Sequence, residues 1–500
     1  MGIASEGLRG IRFVFDEGRC SQVHYWPPQQ GAPFYALDLL QELDIPGEWW
    51  LDRAAGELFV YPPAGLTGTD GTIELSTALP MLVEVITPGN RAELAGLGSV
   101  LVLMDGVTQL TWSGISIGQS RGTGMYLRNC SYIAANRVGA RGFSAMAVRV
   151  VGGENVTLGR WNVSECGAGG VELSGGDRPT LTPCNHQLLD SEISHTDNWV
   201  MYEVPAVSQA GVGTTVAHTF IHDVKHHAFR QAGNNHIIEY NHVKDVLLEC
   251  WDCGAYHTGR DLTWQGNVIR YNLNVNNDSL AMSRFPCAKG SSCQKVAWYL
   301  DDHMSGVEIY GNAVVGYQTG VFFHFGSNNN ASQNMFLGCN ASVWVSACYN
   351  IPKYKWCNLP INDTSAADTM MVALHEAMAW PSWQTVWLPA YPKLRNITWA
   401  PGSTVNNTVN NNVAIGLGIL GYGLQPEQFR LSFNRSAVFK TVGNYNASHV
   451  ADAQFVSPDP VASRDFRLKP TSPVFKASGS FHQIPTGQGP RPESAMQDVV

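Results

Sequence analysis

The sequence predicts an all-β chain: a right-handed parallel β-helix, a single-stranded solenoid of stacked coils, carrying a short helical insertion. Three observations predict it. A short unit recurs, in which a few apolar or β-branched residues are followed by a small residue or Asn and then another apolar residue. Asn falls near the same turn of that unit at positions 136, 162, 241, 272, 312 and 334, where it can form a side-chain ladder and tolerate a left-handed backbone. The composition, with 50 glycines and 15% charged residues, suits frequent tight turns better than long helices.

Instances of the unit include LTWSGISIG from Leu110, LLDSEISHT from Leu188, VAHTFIHDV from Val216, VIRYNLNVN from Val268 and EIYGNAVVG from Glu308. Taking Ile115, Val138, Val163, Ile193, Ile221, Val243, Asn274, Val314 and Phe336 as equivalent gives steps of 23, 25, 30, 28, 22, 31, 40 and 22 residues. One such unit cannot bury its apolar face alone, so neighbours must stack into a continuous core. Alternation within each unit sends Val, Ile and Leu inward and Ser, His, Glu or Arg outward.

Four regions follow. Residues 1–100 form a lead-in whose segment GEWWLDRAAGELFVYPP reads as a hairpin turning at Asp52 to Gly56. Residues 101–348 hold the coils and the candidate site, with a polar loop between Val275 and Val296 that carries Cys287 and Cys293. Residues 349–400 break the strand pattern, and AADTMMVALHEAMAW reads as a helix begun by the Asp363 to Ser365 turn and stopped by Pro381. Residues 401–500 supply C-terminal coils and a tail.

A formal net charge of -9 without a Lys/Arg run offers nothing for a phosphate backbone, so no nucleic-acid partner is expected. No window approaches 18 consecutive apolar residues, so no membrane span is expected either. Eleven N-x-S/T sequons, at Asn129, Asn155, Asn162, Asn277, Asn330, Asn340, Asn362, Asn396, Asn406, Asn434 and Asn446, favour the secretory pathway. The start MGIASEGLRG lacks a signal peptide's apolar stretch, which suggests an incomplete N-terminus. A monomer is expected.

The segments LLQELDIPGEWWLDRAAGELFVYPP, FIHDVKHHAFRQAGNNHIIEYNHVKDV, CGAYHTGRDLTWQGNVIRYN, YLDDHMSGVEIYGN and FRLKPTSPVFK resemble a family of right-handed β-helix, pectate-lyase-like carbohydrate-active proteins. That family includes glycoside hydrolases described as α-L-fucosidases and xylanases. The likeness spans most of the chain, with GRD and YLDD as its most distinctive parts. It implies a secreted glycosidase acting on a polysaccharide or oligosaccharide, and its catalytic pair matches Asp261 of GRD and Asp302 of YLDD.

Glycoside hydrolysis needs two carboxyl groups beside the scissile bond. Asp261 lies 11 residues before Asn272 and Asp301 lies 11 before Asn312, so counting from the ladder makes them equivalent on successive coils. Coils are about 4.8 Å apart, which suits a retaining pair. The count favours Asp301 and the resemblance Asp302, so both stand as candidates beside Asp261. Counting also places Arg230 one coil before Asp261, His324 one coil after Asp302, and His226 in register with His257. These residues, with Arg260 and Tyr256, are candidate substrate contacts, and Asp252 of CWDC is a third carboxylate in reserve. The structural alternative pairs Asp261 with Arg260 or Arg230 and makes Asp301 a turn cap.

Cys250, Cys253, Cys287 and Cys293 are off-pattern for zinc, so disulfides pinning the 275–296 loop are expected, with no metal and no cofactor. Two other readings differ in class. A polysaccharide lyase would use a basic residue near a uronate, with Ca²⁺ held by the acidic cluster. A non-catalytic binding or structural solenoid would bind sugar without turnover.

Overall fold

The computed structural model describes residues 39–52, 54–62, 83–86, 100–200, 203–250, 252–276, 295–346, 369–396, 406–416, 420–422 and 439–492. The chain divides into two compact units, 1–76 and 77–500. In the first, Trp49–Asp52 and Glu57–Val60 pair antiparallel with Asp52 opposite Glu57. The turn forms where the sequence places it. The Asp52 carboxylate accepts the Ala54 and Ala55 amides at 2.9 Å each, and Gly56 supplies a φ of +72° that costs glycine little.

Residues 77–500 are all-β, with parallel sheets and few helices. Among the described residues a 12-stranded sheet begins at Val83–Ile86 and ends at Leu420–Tyr422, while a 20-stranded sheet begins at Thr108–Ser120 and ends at Tyr445–Ala447. The chain alternates between the two, and each strand pairs in parallel with its counterpart one repeat later. From Val163 onward the equivalences expected from the repeat hold, through Ile193, Ile221, Val243, Asn274 and Val314 to Phe336. Earlier there is a correction: Ile115 opposes Val138, but Val163 opposes Ala140. A two-residue slip leaves every side chain on the same face, so the apolar alternation cannot detect it. Val163, Ile193, Ile221 and Val243 are fully buried in one continuous core.

The ladder runs through Asn241, Asn272, Asn312 and Asn334, and continues into Asn412 and Asn444. The Asn241 Oδ1 accepts the Thr219 amide, and from Asn272 on each Oδ1 accepts the backbone amide of the preceding ladder residue at 2.9–3.0 Å. Asn136 and Asn162 stand outside it, opposite Ser113 and Gly139 respectively. The left-handed backbone sits one residue before the ladder, at Tyr240, Tyr271, Gln333 and Asn411, where φ is +53° to +60°. Asn267, Asn329 and Asn407 bond successive turns at a second corner of the repeat.

The helix of the insertion spans Thr369–Met378 and ends before Pro381; short π, α and 3-10 turns continue to Asn396. The Asp363 to Ser365 turn lies outside the described residues. Trp383, Trp387, Leu388 and Tyr391 form a separate apolar cluster with Leu262. The C-terminal residues run back over the corners of the 20-stranded sheet. Ser478 meets Asn411, Ser480 and His482 meet Gln333, Gly487 meets His218, Gly489 meets Tyr240, and Arg491 makes a two-pronged pair with Asp190. No described helix is long and apolar enough to cross a membrane. Cys250 and Cys253 are disulfide-bonded to each other, which corrects the expectation that they tie down the 275–296 loop. Cys287 and Cys293 lie outside the described residues.

Candidate active site

The site forms where three neighbouring strands of the 12-stranded sheet end: Cys253–Thr258, Lys295–Leu300 and Thr319–His324. Their register sets His257 opposite Tyr299 and Tyr299 opposite Phe322. Beyond the strand ends the Asp301 amide donates to Thr258 O at 2.8 Å, the Arg260 amide to Asp302 O at 3.0 Å, and the His303 amide to His324 O at 2.9 Å. The glycine of GRD is needed here, because a Cβ at Gly259 would lie 2.6 Å from the Asp301 carbonyl oxygen.

Successive strand residues ordinarily face opposite sides. The turn after Leu300 breaks that rule, with Asp302 at φ +31° and His303 at φ +65°. Both Asp301 and Asp302 therefore reach one histidine. His324 Nδ1 lies 2.6 Å from Asp301 Oδ1 and 3.5 Å from Asp302 Oδ1. His257 Nε2 meets the other Asp301 oxygen at 3.2 Å, and Arg260 Nε donates to Asp302 Oδ2 at 2.7 Å. An ionised carboxylate only accepts hydrogen bonds, so both imidazole nitrogens facing Asp301 carry protons. Tyr299 stacks between His257 and Phe322 and donates from its hydroxyl to Asp252 Oδ1 at 3.3 Å.

These surroundings drive the two carboxyls apart. Burial pushes Asp301 up, but the His257 and His324 hydrogen bonds outweigh it and hold the group far below the usual carboxylate range. Burial and then the Asp301 charge raise Asp302, against the partial opposition of His324 and Arg260. For His324, burial lowers the pKa, but the Asp301 hydrogen bond together with the charges of Asp301, Asp302 and Asp252 outweighs it, for a net rise. Asp252 is raised by burial and by Asp301. Two neighbouring carboxyls whose proton affinities are pushed in opposite directions make the kind of arrangement that acid–base catalysis uses. Asp301, Asp302 and His324 also bring ligand atoms within 4.8 Å of one another, a set that could hold a divalent ion.

Asp261 is not the register partner of Asp301. Thr258 and Leu300 are opposite each other, so Gly259 aligns with Asp301 and Arg260 with Asp302. The stretch from strand to ladder is 14 residues from Thr258 to Asn272 but 12 from Leu300 to Asn312, so counting back from the ladder errs by two. Asp261 is buried, accepts the Thr263 amide and hydroxyl at 2.8 and 2.5 Å, and lies 4.0 Å from Arg178. Burial raises its pKa, with Thr263 and Arg178 pulling the other way.

Three further expectations are corrected by the same register. Arg230 lies opposite His257, not beside Asp261, and pairs with Glu203. His324 aligns with Asp301 and not with Asp302, since Leu300 is opposite Phe323. His226 is four residues before Arg230 and so out of register with His257; it is buried edge-on against His227, and burial, with His257, lowers its pKa to about 3. Tyr256 falls on the inward side of the alternation, fully buried with its hydroxyl on Gln231, and offers no surface to a sugar. Arg178 and Thr263 are the residues that sequence reasoning missed. Arg178 meets partners 56 and 85 residues away, a separation no local motif encodes.

No family model matches the chain, and no curated protein matches it. Solved structures do align. A glycoside hydrolase matches at 12% identity and TM-score 0.34, over 59% of this chain and 57% of its own length. A polysaccharide lyase family 6 alginate lyase in complex with a trisaccharide matches at 12% identity and TM-score 0.32, over 68% and 75%. A mannuronic acid specific polysaccharide lyase of family 6 from human gut microbiota matches at 10% identity and TM-score 0.35, over 79% and 92%. Likenesses at this level carry no argument about activity.

Proposed function

We propose that the chain is a right-handed parallel β-helix that works as a secreted carbohydrate-active enzyme, a glycoside hydrolase with Asp302 as general acid and Asp301 as the ionised carboxylate. The observation that carries this reading is the pair itself, two adjacent carboxyls sharing His324 with their proton affinities driven apart. Asp302 would protonate the departing glycosidic oxygen while Asp301 meets the anomeric carbon; water then releases the sugar, with Asp302 as base. Arg230 and Arg260, with side chains 45% and 56% exposed, supply hydroxyl or carboxylate contacts. The sequons and the Cys250–Cys253 bond support an oxidising compartment.

A second reading rests on the Asp301, Asp302 and His324 set. Filled by a divalent cation beside Arg260, it would neutralise a uronate carboxyl and serve a lyase. Release of reducing sugar from fucosylated, xylan and uronate polysaccharides separates the two when read against ultraviolet absorbance of unsaturated uronate. The hydrolase reading expects cleavage of a neutral glycan without new absorbance, and near-complete loss of turnover in folded Asp301→Asn and Asp302→Asn. Cleavage confined to uronates with unsaturated products would replace it by the lyase, and full activity in both variants would remove the site.

A further inference from the structure

Arg178 sits in a tight loop closed by bridges between Asp177 and Thr182, far in sequence from the site turn it touches. Its Nη2 donates to Thr263 Oγ1 at 2.6 Å, its Nε to Asn234 Oδ1 at 3.1 Å, and its Nη1 faces Asp261 Oδ2 at 4.0 Å. Asn234 returns a hydrogen bond to the Thr263 carbonyl at 2.6 Å. The guanidinium lies 5.7 Å from the Trp380 ring and 5.8 Å from the Trp387 ring. Trp387 Nε1 donates to the carbonyls of Arg178 and Pro179 at 3.0 and 3.1 Å, and Leu262 is buried in the insertion's own apolar cluster.

The turn from Gly259 to Thr263 is therefore gripped at two ends. Arg260 holds Asp302 through its backbone amide and its side chain, while Thr263 and Leu262 are held by Arg178 and the insertion. We infer that Arg178 is a positioning residue, through which the insertion at 369–396 fixes the 259–263 turn and so the placement of Asp302. This rests on the reading of Asp302 as the acid. A planar, five-donor guanidinium caged by two indoles suits the task, whereas a lysine could satisfy only some of these contacts.

Two readouts on the full chain test it. Hydrogen exchange of the peptide covering 259–265 needs no activity. Arg178→Met should speed exchange there at least tenfold, leave the 295–300 strand protected, and be partly reversed in Arg178→Lys. Should Arg178→Met fail to fold, Trp387→Phe removes the indole donor and should show the same local change to a smaller degree. On a glycan that the wild type cleaves, kcat should fall about 10- to 100-fold with KM within a factor of two, since misplacement by about 1 Å costs rate on that scale. Unchanged exchange at 259–265 in folded variants overturns the inference, and so does an unchanged kcat. If the wild type cleaves nothing, the hydrolase reading fails instead, and the exchange result still decides whether Arg178 holds the turn.

Discussion

Asn312→Ala should be among the most destabilising single changes outside the site. Asn312 is fully buried. Its Oδ1 accepts the Asn272 amide at 2.9 Å, and its Nδ2 donates to the Ile269 carbonyl at 3.0 Å. Alanine takes the acceptor from the Asn272 amide and the side-chain donor from the Ile269 carbonyl where water does not reach, at about 1–3 kcal/mol each, so roughly 4 kcal/mol is lost before any term for the void. Asn444 ends the described ladder and is only partly buried. Its Oδ1 accepts from Asn412 and its Nδ2 donates to Val409 at 2.8 Å, but solvent can replace both, so Asn444→Ala should cost about 1 kcal/mol. Urea unfolding followed by far-ultraviolet dichroism and by tryptophan fluorescence reads the difference, provided the two probes give coincident transitions. Equal losses for the two variants, or a loss below about 1 kcal/mol for Asn312→Ala, would refute the idea that the ladder stabilises by satisfying buried backbone.

Three other outcomes are expected. Asp301→Asn should be less stable than the wild type by a margin that varies with pH: the Asp301 part is present above its ordinary 3.8 and lost as pH falls toward its depressed folded value, while the His324 part is full below 6.5 and lost as pH rises through its raised folded value. Thermal scans should thus show the widest gap between those two limits, and a flat gap across pH 3 to 9 would contradict it. Arg491→Ala strands the Asp190 carboxylate, whose side chain is fully buried, and should cost about 3 kcal/mol in urea unfolding, with Asp190→Asn recovering part of the loss in the double variant. Gly211→Ala should abolish soluble expression or cost more than about 3 kcal/mol, because φ is +86° and the new Cβ would lie 1.9 Å from the Gly175 carbonyl oxygen.

Much of the parallel pairing was legible because it depends on features that repeat. Val163 to Phe336 were aligned from alternation and spacing, and four ladder asparagines from their common place in the unit. What failed depends on length differences that alternation does not register. The arcs from strand to ladder differ in length from coil to coil, so counting back moved Asp261 two places from Asp301, Arg230 four places from its true partner His257, and His324 from Asp301 to Asp302. The convergence of Asp301 and Asp302 on His324 was out of reach for another reason. It depends on a positive φ at Asp302, and nothing in YLDDHM distinguishes that turn from continued strand. Arg178 was invisible because its indole cage comes from Trp380 and Trp387, some 200 residues later in the chain.

The returning C-terminal segment acts as a ruler for the stack. Its end contacts, at Asn411 and Asp190, lie six parallel steps apart through Gln333, Gly311, Tyr271, Tyr240 and His218, or about 29 Å at about 4.8 Å each, and between them the chain doubles back, with Gly487 on His218 before Gly489 reaches Tyr240. The 13 residues from Ser478 to Arg491 could extend to about 44 Å, which leaves slack for about three more steps and no more. Gain of up to about three repeats between those corners would be absorbed by straightening the segment, with the Arg491–Asp190 pair kept. The number of repeats in this span is therefore bounded from above by a stretch of chain that contributes no strand to either long sheet.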